Sequence, residues 1–238
     1  MPREVYVAGD LHGCYHTFRK GLEKIGPAAD DLIIPDGDII DGGNHSRRLV
    51  HFCRDNANIK PNQGNHEKIW IDYSRGRIRY QDLSSVKQRT LEQFRNGNDK
   101  DLLGLEEAAQ YFETFPLYQE FPEAIIVHAG VEFRDPLDLH LQDEKILLGF
   151  GIKRNNKVWT GKNKTGLPLW CAAYPAHAKF LFFGHVSIMR GVHCEWDIPY
   201  RTNLGPLDTK CARGGFLTIV RLSDFKYWRI PADKRDTR

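Results

Sequence analysis

The sequence predicts an α/β fold, because apolar runs typical of strands alternate with segments that have helical spacing. Residues 5–8 form a short apolar run that stops at a Gly-Asp pair, and residues 31–35 form a second run that leads into another Gly-Asp pair. Between them, residues 16–25 place Phe18, Leu22 and Ile25 on one helical face. Strands joined by helices usually pair in parallel, and functional loops then collect at the carboxyl ends of the strands.

The same two patterns predict the remaining elements. Helices are expected at 47–53, 82–96 and 105–112, and strands at 59–63, 123–127, 179–183, 215–221 and 225–230. Ser46 precedes the first of these helices and is a suitable N-cap residue. The segment 59–63 is a poor strand by composition, but it also ends in glycine followed by a polar residue. The last two strands are expected to form an antiparallel pair.

Length and composition indicate one globular α/β domain spanning residues 1–238, with a helical side layer at about 82–114. A polar tail at about 232–238 is expected to be frayed. The net charge of +3 gives no strong signal for nucleic acid or membranes. No apolar run approaches the roughly 20 residues that cross a bilayer, and no signal peptide is recognisable, so a cytoplasmic location is expected. The five cysteines are widely spaced and predict neither a zinc ribbon nor a disulfide framework.

The predicted strand ends carry side chains that bind metal ions. These are Asp10 and His12, Asp38 and Asp41, Asn65 and His66, His128, and His185. Carboxylate and amide oxygens suit hard divalent ions, whereas imidazole suits manganese, iron and zinc. A cage that mixes these groups fits two metals sharing one carboxylate. Two such metals can bind a phosphoryl oxygen, activate a water and clamp an in-line displacement.

Each of these residues taken alone also has a structural explanation. Gly-Asp pairs are common in turns, and a single histidine at a strand end is more often a structural residue than a ligand. What favours a metal site is the recurrence of the pattern at five successive strand ends. The pattern therefore predicts a dinuclear centre at the loop edge of the fold.

The motifs also resemble those of a known family. They are GDLHG at 9–13, GDIIDGG at 37–43, GNHE at 64–67, HAG at 128–130 and GH at 184–185. Together they resemble the calcineurin-like metallophosphoesterases, and within these the phosphoprotein phosphatase branch, which includes small bacterial and phage Ser/Thr phosphatases and symmetrical diadenosine tetraphosphate hydrolases. A segment beginning at Asp208 is similar to the Asp-Thr-Gly element of the small bacterial members. The resemblance covers about residues 4–222.

The resemblance implies a fold and a set of roles. The fold is a central two-sheet β-sandwich flanked by helices, with the metal site at the loop edge formed by the carboxyl ends of the strands. The cofactors are two divalent metal ions, with manganese expected first and iron or zinc as alternatives. The implied ligands are Asp10 and His12 for the first metal, Asn65, His128 and His185 for the second, and Asp38 for both.

Two further residues are implied to act on the leaving group. His66 would donate a proton to the leaving oxygen as a general acid. Asp41 would orient His66, since a carboxylate partner sets the tautomer of an imidazole and raises its pKa.

The chain departs from the branch at the residues that grip phosphate. The branch carries Arg where this chain has Gly42, and a second Arg is expected near Gly161. Lysine does not replace the bidentate contact that Arg makes with phosphate. Arg47 and Lys162 are the candidate substrate-binding residues, and Arg48 and Lys164 are further cations nearby in sequence. Arg47 and Arg48 are equally well explained as a solvated start of a helix.

Three functions follow from these observations. The leading hypothesis is a metal-dependent phosphomonoesterase acting on a phosphoprotein or a small phosphorylated molecule. A diadenosine polyphosphate or phosphodiester hydrolase is the first alternative. The missing Arg leaves more space above the metals and favours a substrate that carries less charge on each phosphorus. A metal-binding regulatory protein with weakened catalysis is the second alternative.

Overall fold

Two four-stranded mixed sheets lie at the centre of the computed structural model. The structure describes residues 3–96, 102–134, 137–150, 153–154, 157–158, 169–187 and 203–237. Within these ranges six helices accompany the sheets. None of the helices in this described part is both long and apolar enough to cross a membrane.

The strands and helices alternate along the first half of the chain, and strands dominate the second. In chain order the elements are β1 (Val5–Ala8), α1 (Tyr15–Ile25), β2 (Leu32–Pro35), α2 (Ser46–Asp55), α3 (Asn65–Ser74), α4 (Ser85–Arg95), α5 (Leu105–Phe112), β3 (Tyr118–Glu120), β4 (Ala124–Val127), α6 (Glu144–Leu147), β5 (Lys153–Arg154), β6 (Lys157–Val158), β7 (Phe180–Phe183), β8 (Leu204–Pro206), β9 (Phe216–Arg221) and β10 (Tyr227–Pro231). The helices at 82–96 and 105–112 and the strand pair at the end of the chain are therefore present as predicted.

The first sheet has the order β10-β9-β1-β2, and the second has the order β3-β4-β7-β8. The strands β1 and β2 pair in parallel, as do β4 with β7 and β7 with β8. The hairpin of β9 and β10 is antiparallel and joins the first sheet through β1. The expected parallel pairing of helix-linked strands is confirmed for β1 and β2.

The two sheets pack face to face, which confirms the expected sandwich. Val7 of β1 and Val220 of β9 share one buried cluster with Ile126 of β4 and Phe182 of β7. Side chains alternate across a strand, so Tyr6 and Ala8 of β1 point to the opposite face.

Helices cover that opposite face of the first sheet. Its apolar side chains pack with Phe18 of α1, Leu49 of α2, Trp70 of α3 and Phe112 of α5. The outer face of the second sheet packs instead against Trp170 and neighbouring residues. Each such large side chain contributes about 1.5–3 kcal/mol on full burial.

One predicted strand and one predicted helix cap are wrong. The segment 59–63 forms one isolated bridge, between Ile59 and Ile33, and no strand, although the N–H groups of Lys60 and Asn62 donate to the β2 carbonyls of Ile33 and Pro35 at 2.9 Å. Pro61 has no N–H to donate to a ladder, and the N–H of Gln63 turns to the Pro116 carbonyl at 2.8 Å. Helix α3 then begins at Asn65, where no helix was predicted.

Ser46 is the first residue of α2 rather than its N-cap, a position that His45 occupies without a side-chain hydrogen bond. The Ser46 hydroxyl is used elsewhere, because it accepts the N–H of Asp41 at 3.1 Å. The backbone N–H of Ser46 donates to Gln93 Oε1 at 2.7 Å. Ser46 therefore supports the loop that carries Asp41 from the start of α2.

The polar tail is held against the domain, so the expectation that it is frayed is wrong for residues 232–237. The fully buried Asp236 carboxylate accepts the backbone N–H groups of His16 and Thr17 at 3.0 and 2.6 Å, and the Thr17 hydroxyl at 2.7 Å. Cys14, the N-cap residue of α1, makes no side-chain cap of its own. Asp236 thus satisfies N–H groups that the start of every helix leaves unpaired.

Glu67 of α3 fixes the loop that follows β2. Its buried carboxylate accepts the backbone N–H groups of Asp38, Ile39 and Gly64 at 2.8–2.9 Å, and that of Ile40 at 3.3 Å. Burial raises the pKa of Glu67 to about 7. Four N–H groups that would otherwise be buried without an acceptor therefore depend on one side chain.

We expect Glu67→Gln to lower the free energy of unfolding by about 3 kcal/mol, because an amide NH2 would replace one oxygen and face N–H donors. Urea denaturation followed by circular dichroism measures this change. The matched control is Glu92→Gln on the exposed face of α4, which should change stability by less than about 0.5 kcal/mol. Equal stability of the two variants would contradict this role of the Glu67 carboxylate.

Candidate metal centre

The loops at the carboxyl ends of four strands meet at one edge of the sandwich. Asp10 follows β1, Asp38 follows β2, His128 follows β4 and His185 follows β7. The backbone N–H of His185 donates to the Asp10 carboxylate, at 3.1 Å from Oδ2, and so joins the edges of the two sheets. A side chain on Gly184 would overlap Asp10 Oδ1, which explains the glycine at this position.

A first group of side chains surrounds one oxygen of Asp38. His12 Nε2 lies 3.7 Å from Asp38 Oδ2 and 3.8 Å from Asp10 Oδ2. His66 Nε2 also lies 3.7 Å from Asp38 Oδ2. Potential ligand atoms of His12, Asp38 and His66 lie within 4.8 Å of one another.

A second group surrounds the other oxygen of Asp38. Asn65 Oδ1 lies 3.1 Å from His128 Nε2 and 3.0 Å from His185 Nδ1. His128 Nε2 lies 3.4 Å from Asp38 Oδ1. Asp38 therefore stands between the two groups, with one carboxylate oxygen towards each.

Backbone carbonyls set the orientation of two of the imidazoles. His128 Nδ1 lies 2.8 Å from the Asp36 carbonyl, and His12 Nδ1 lies 3.3 Å from the Ile40 carbonyl. Since a carbonyl only accepts, each Nδ1 carries the proton and a neutral ring presents its Nε2 lone pair to the cluster. This arrangement of the second ring nitrogen is typical of histidines that bind metals.

The electrostatics of the pocket favour a cation. Burial, with the neighbouring Asp208 carboxylate, raises the pKa of Asp10 well above its usual value. Although burial opposes it, the Asp38 carboxylate raises the pKa of His128, so the pocket favours positive charge at Nε2, either as a proton or as a metal. Burial and the neighbouring His128 lower the pKa of His185 to about 4, which keeps this imidazole neutral. Carboxylates, an amide oxygen and neutral imidazoles together fit borderline divalent metals.

The predicted pair of His66 and Asp41 is in contact. His66 Nδ1 lies 2.7 Å from Asp41 Oδ2. The Trp70 indole N–H donates to the other carboxylate oxygen at 3.1 Å, and Asp41 is fully buried. His66 keeps a partly exposed side chain, so its Nε2 faces the cluster while Asp41 holds the opposite nitrogen.

Sequence reasoning missed Lys87 of α4. Its ammonium lies 3.5 Å from Asp41 Oδ2 and 3.4 Å from His66 Nδ1, and the side chain is only 11% exposed. No motif marks this lysine among the basic residues of its helix. Only the packing of α4 beside the Asp41 loop brings its charge to the pair.

Of the two predicted substrate-binding residues, Arg47 and Lys162, the structure describes only Arg47. Arg47 is 8% exposed, and its guanidinium donates to the carbonyls of Leu102 and Leu103 at 2.6 and 2.7 Å. These bonds support the segment before α5 and give Arg47 a structural role. Lys162 lies outside the described residues, as does Lys164. The Arg48 guanidinium lies over the Tyr15 ring, 4.7 Å from its centroid.

Gly42 has a backbone that a side chain rarely adopts, with φ of +86°. A Cβ atom at this position would lie 3.3 Å from the Cβ atoms of Ala212 and His12, closer than most such contacts. An arginine at position 42 would therefore strain this loop.

Asp208 is a second residue near the cluster to which no role was assigned from the sequence. It is buried, and its charge raises the pKa of Asp10. Its Oδ1 accepts the N–H of Lys210 at 2.9 Å. The sequence signal that could have identified Asp208 is the Asp-Thr element that contains it. This element lies just after the end of β8.

Comparisons with known proteins identify relatives of this chain. The model of the calcineurin-like phosphoesterase family matches residues 4–189. The chain is 26% identical over 244 residues to the asymmetrical bis(5'-nucleosyl)-tetraphosphatase PrpE of Halalkalibacterium halodurans, covering 95% of this chain and 93% of the relative. It is also 26% identical over 230 residues to serine/threonine-protein phosphatase 1 of Salmonella typhimurium, covering 92% of each.

Solved structures share the fold. The crystal structure of a proposed diadenosine tetraphosphatase superposes with a TM-score of 0.71 at 17% identity, covering 98% of this chain and 97% of the other. At this identity the likeness concerns the fold alone. The family match spans more than half of the chain and includes the strand ends described above. The chain therefore belongs to the calcineurin-like phosphoesterase family and is a phosphoric ester hydrolase.

Proposed function

We propose that this protein uses two divalent metal ions to hydrolyse a phosphoester or phosphoanhydride. The metal ligands in this proposal are Asp10, His12, Asp38, Asn65, His128 and His185. The position of Asp38 carries the proposal, because one carboxylate oxygen lies near His12 and the other near His128. The acceptor lone pairs that converge there need positive charge between them. Manganese suits this mixture of oxygen and imidazole donors, and iron or zinc would also fit.

Bound metals would supply a Lewis acid for the phosphoryl oxygens and lower the pKa of the attacking water. The chain itself supplies the proton for the leaving group. In this proposal His66 donates that proton from Nε2, because Nδ1 faces Asp41 at 2.7 Å. The Asp38 and Asp41 carboxylates, although burial opposes them, raise the pKa of His66 and so favour the protonated acid.

Lys87 is proposed as the cation that compensates for the glycine at position 42. Its ammonium lies beside the leaving-group pair and is held there at 3.5 Å from Asp41 Oδ2. A lysine is a point charge without the forked geometry of arginine, so it attracts phosphate but does not bind two oxygens of one phosphoryl group. We therefore propose that Lys87 binds phosphate less strongly than an arginine at position 42 would.

A dinucleoside polyphosphate is the first substrate candidate, ahead of the phosphomonoesters that the sequence favoured. A phosphorus inside a polyphosphate chain carries less charge than a terminal dianion, and the neighbouring phosphates add contacts. The main support for this order of candidates is Gly42, because its backbone does not readily accommodate the arginine that would bind a phosphomonoester dianion. The similarity to a bis(5'-nucleosyl)-tetraphosphatase supports it. A phosphoprotein or small phosphomonoester is the second candidate, supported by the similarity to a protein phosphatase.

We expect kcat/KM for diadenosine tetraphosphate to exceed that for p-nitrophenyl phosphate by roughly tenfold or more with manganese-loaded protein. One missing charge-assisted contact to the monoester dianion is about 1.5 kcal/mol, which corresponds to this factor. Product analysis by chromatography and parallel assays with bis-p-nitrophenyl phosphate and a phosphoserine peptide complete the measurement. Faster turnover of the phosphopeptide would make the protein-phosphatase assignment correct instead.

We expect His66→Ala to lower kcat by about 10² to 10⁴, the usual range for removal of a general acid. The loss should be smaller for p-nitrophenyl phosphate than for phosphoserine, because p-nitrophenolate leaves without help from an acid. Metal content measured by mass spectrometry should stay unchanged. The control is His51→Ala on α2, a histidine outside the cluster. Loss of metal from the His66 variant would show that His66 is a ligand.

We expect Lys87→Ala to lower kcat/KM for diadenosine tetraphosphate by roughly 10- to 100-fold, mainly through KM, since it removes one charged contact. Lys87→Arg should recover most of the loss. Arg89→Ala, which removes a cation from the same helix, is the matched control. If the Lys87 and Arg89 variants behave alike, general charge on α4 explains the effect and Lys87 has no specific role.

A further inference from the structure

A second cluster of potential metal ligands lies where the tail meets the starts of two helices. It consists of His16 in the first turn of α1, His45 directly before α2, and Asp236 in the tail. One potential ligand atom from each lies within 4.8 Å of the others. None of these residues belongs to a motif of the family resemblance, and the proposed function uses none of them.

His45 has the ring orientation of a metal ligand. Its Nε2 lies 3.1 Å from the Arg235 carbonyl, which only accepts, so the proton is on Nε2 and Nδ1 keeps its lone pair. His12 and His128 of the main cluster show the same arrangement, with one ring nitrogen on a backbone carbonyl. Such a partner fixes the tautomer and raises the basicity of the ligating nitrogen.

His16 completes a pair of imidazoles. Its ring meets that of His45 edge to face, with centroids 4.8 Å apart. Among the residues that the structure describes, neither of its ring nitrogens has a hydrogen-bond partner. One nitrogen of the neutral ring therefore keeps an available lone pair. A neutral imidazole is the form that binds a metal.

Asp236 supplies an anchored oxygen. Its Oδ2 accepts two hydrogen bonds from Thr17, at 2.6 and 2.7 Å, whereas from the described part of the chain Oδ1 accepts only the N–H of His16, at 3.0 Å. A carboxylate oxygen can accept twice, so Oδ1 has capacity for another partner. Capping of α1 explains why Asp236 is buried. It does not explain why two histidines with an available nitrogen lie beside it.

We propose that His16, His45 and Asp236 form a structural site for one zinc-like divalent ion, separate from the catalytic cluster. Two imidazoles and one carboxylate match the donors that Zn²⁺ prefers, and both histidines are partly exposed, so water can complete a tetrahedron. In a tetrahedron with metal–ligand bonds of about 2.0–2.2 Å the ligand atoms lie about 3.3–3.6 Å apart, so a bound ion would draw together any pair that is farther apart within the present 4.8 Å.

The site would connect the tail to the loop that carries Asp41. The backbone N–H of Asn44 donates to the Asp236 carbonyl at 3.0 Å, and the Asn44 side chain donates to the Arg235 carbonyl at 2.9 Å. Asn44 follows Asp41 by three residues in the same loop. A metal held across this junction binds only the folded state and therefore stabilises it.

The test measures zinc content by mass spectrometry after equilibrium dialysis of the full chain against excess zinc. Wild-type protein should hold one more zinc ion per chain than His16→Gln or His45→Gln, whatever the catalytic cluster holds. Zinc should also raise the melting temperature of wild type more than that of either variant. His51→Gln, a histidine of α2 outside the cluster, is the matched control. Histidine variants are chosen because loss of Asp236 would uncap α1.

Equal zinc content in wild type and both variants would overturn the site. The proposed catalytic function is tested independently, because manganese-dependent turnover should be similar in wild type, His16→Gln and His45→Gln. Loss of one zinc ion together with a lower zinc-dependent rise in melting temperature would support the structural site.

Discussion

The carboxylate of Glu67 is the constraint on which the rest of the site depends. It accepts backbone N–H groups on both sides of the junction between β2 and α3, including those of Asp38 and Gly64. Asp38 is held there with a φ of +46°, a backbone that a non-glycine residue rarely adopts. Such strain persists only where surrounding contacts determine it. The hydrogen bonds to Glu67 thereby set the direction in which the Asp38 carboxylate points.

A buried and strained Asp38 then determines the electrostatics of the edge. Its two oxygens face different groups of donors, one from the first sheet and one that includes His128 of the second. Packing the sheets face to face is what makes one carboxylate reach both. The bond from the His185 N–H to Asp10 holds the same two edges together. Fold and chemistry are linked here, because the sandwich cannot shift without separating the ligands.

In the proposed function, the helical layer also supplies part of the site that meets the substrate. Gly42 cannot easily carry an arginine, and α4 instead brings Lys87 to the buried Asp41 and His66. The charge therefore sits on a helix rather than on the strand-end loop. This arrangement fits a substrate that spreads its charge over several phosphates better than one with a single dianion. The docked tail supports the same loop through Asn44.

The sequence by itself determined six of the eight strands in the two sheets, all but β3 and β8, together with the order of the strand-end motifs, because apolar periodicity and turn glycines are local signals. The tertiary structure decided the rest. Lys87 reaches His66 across 21 positions, and Asp236 reaches His16 across 220. No local pattern encodes such contacts, since they depend on how separate elements pack. For the same reason the tail appeared frayed from its polar composition, although Asp236 is buried against the start of α1.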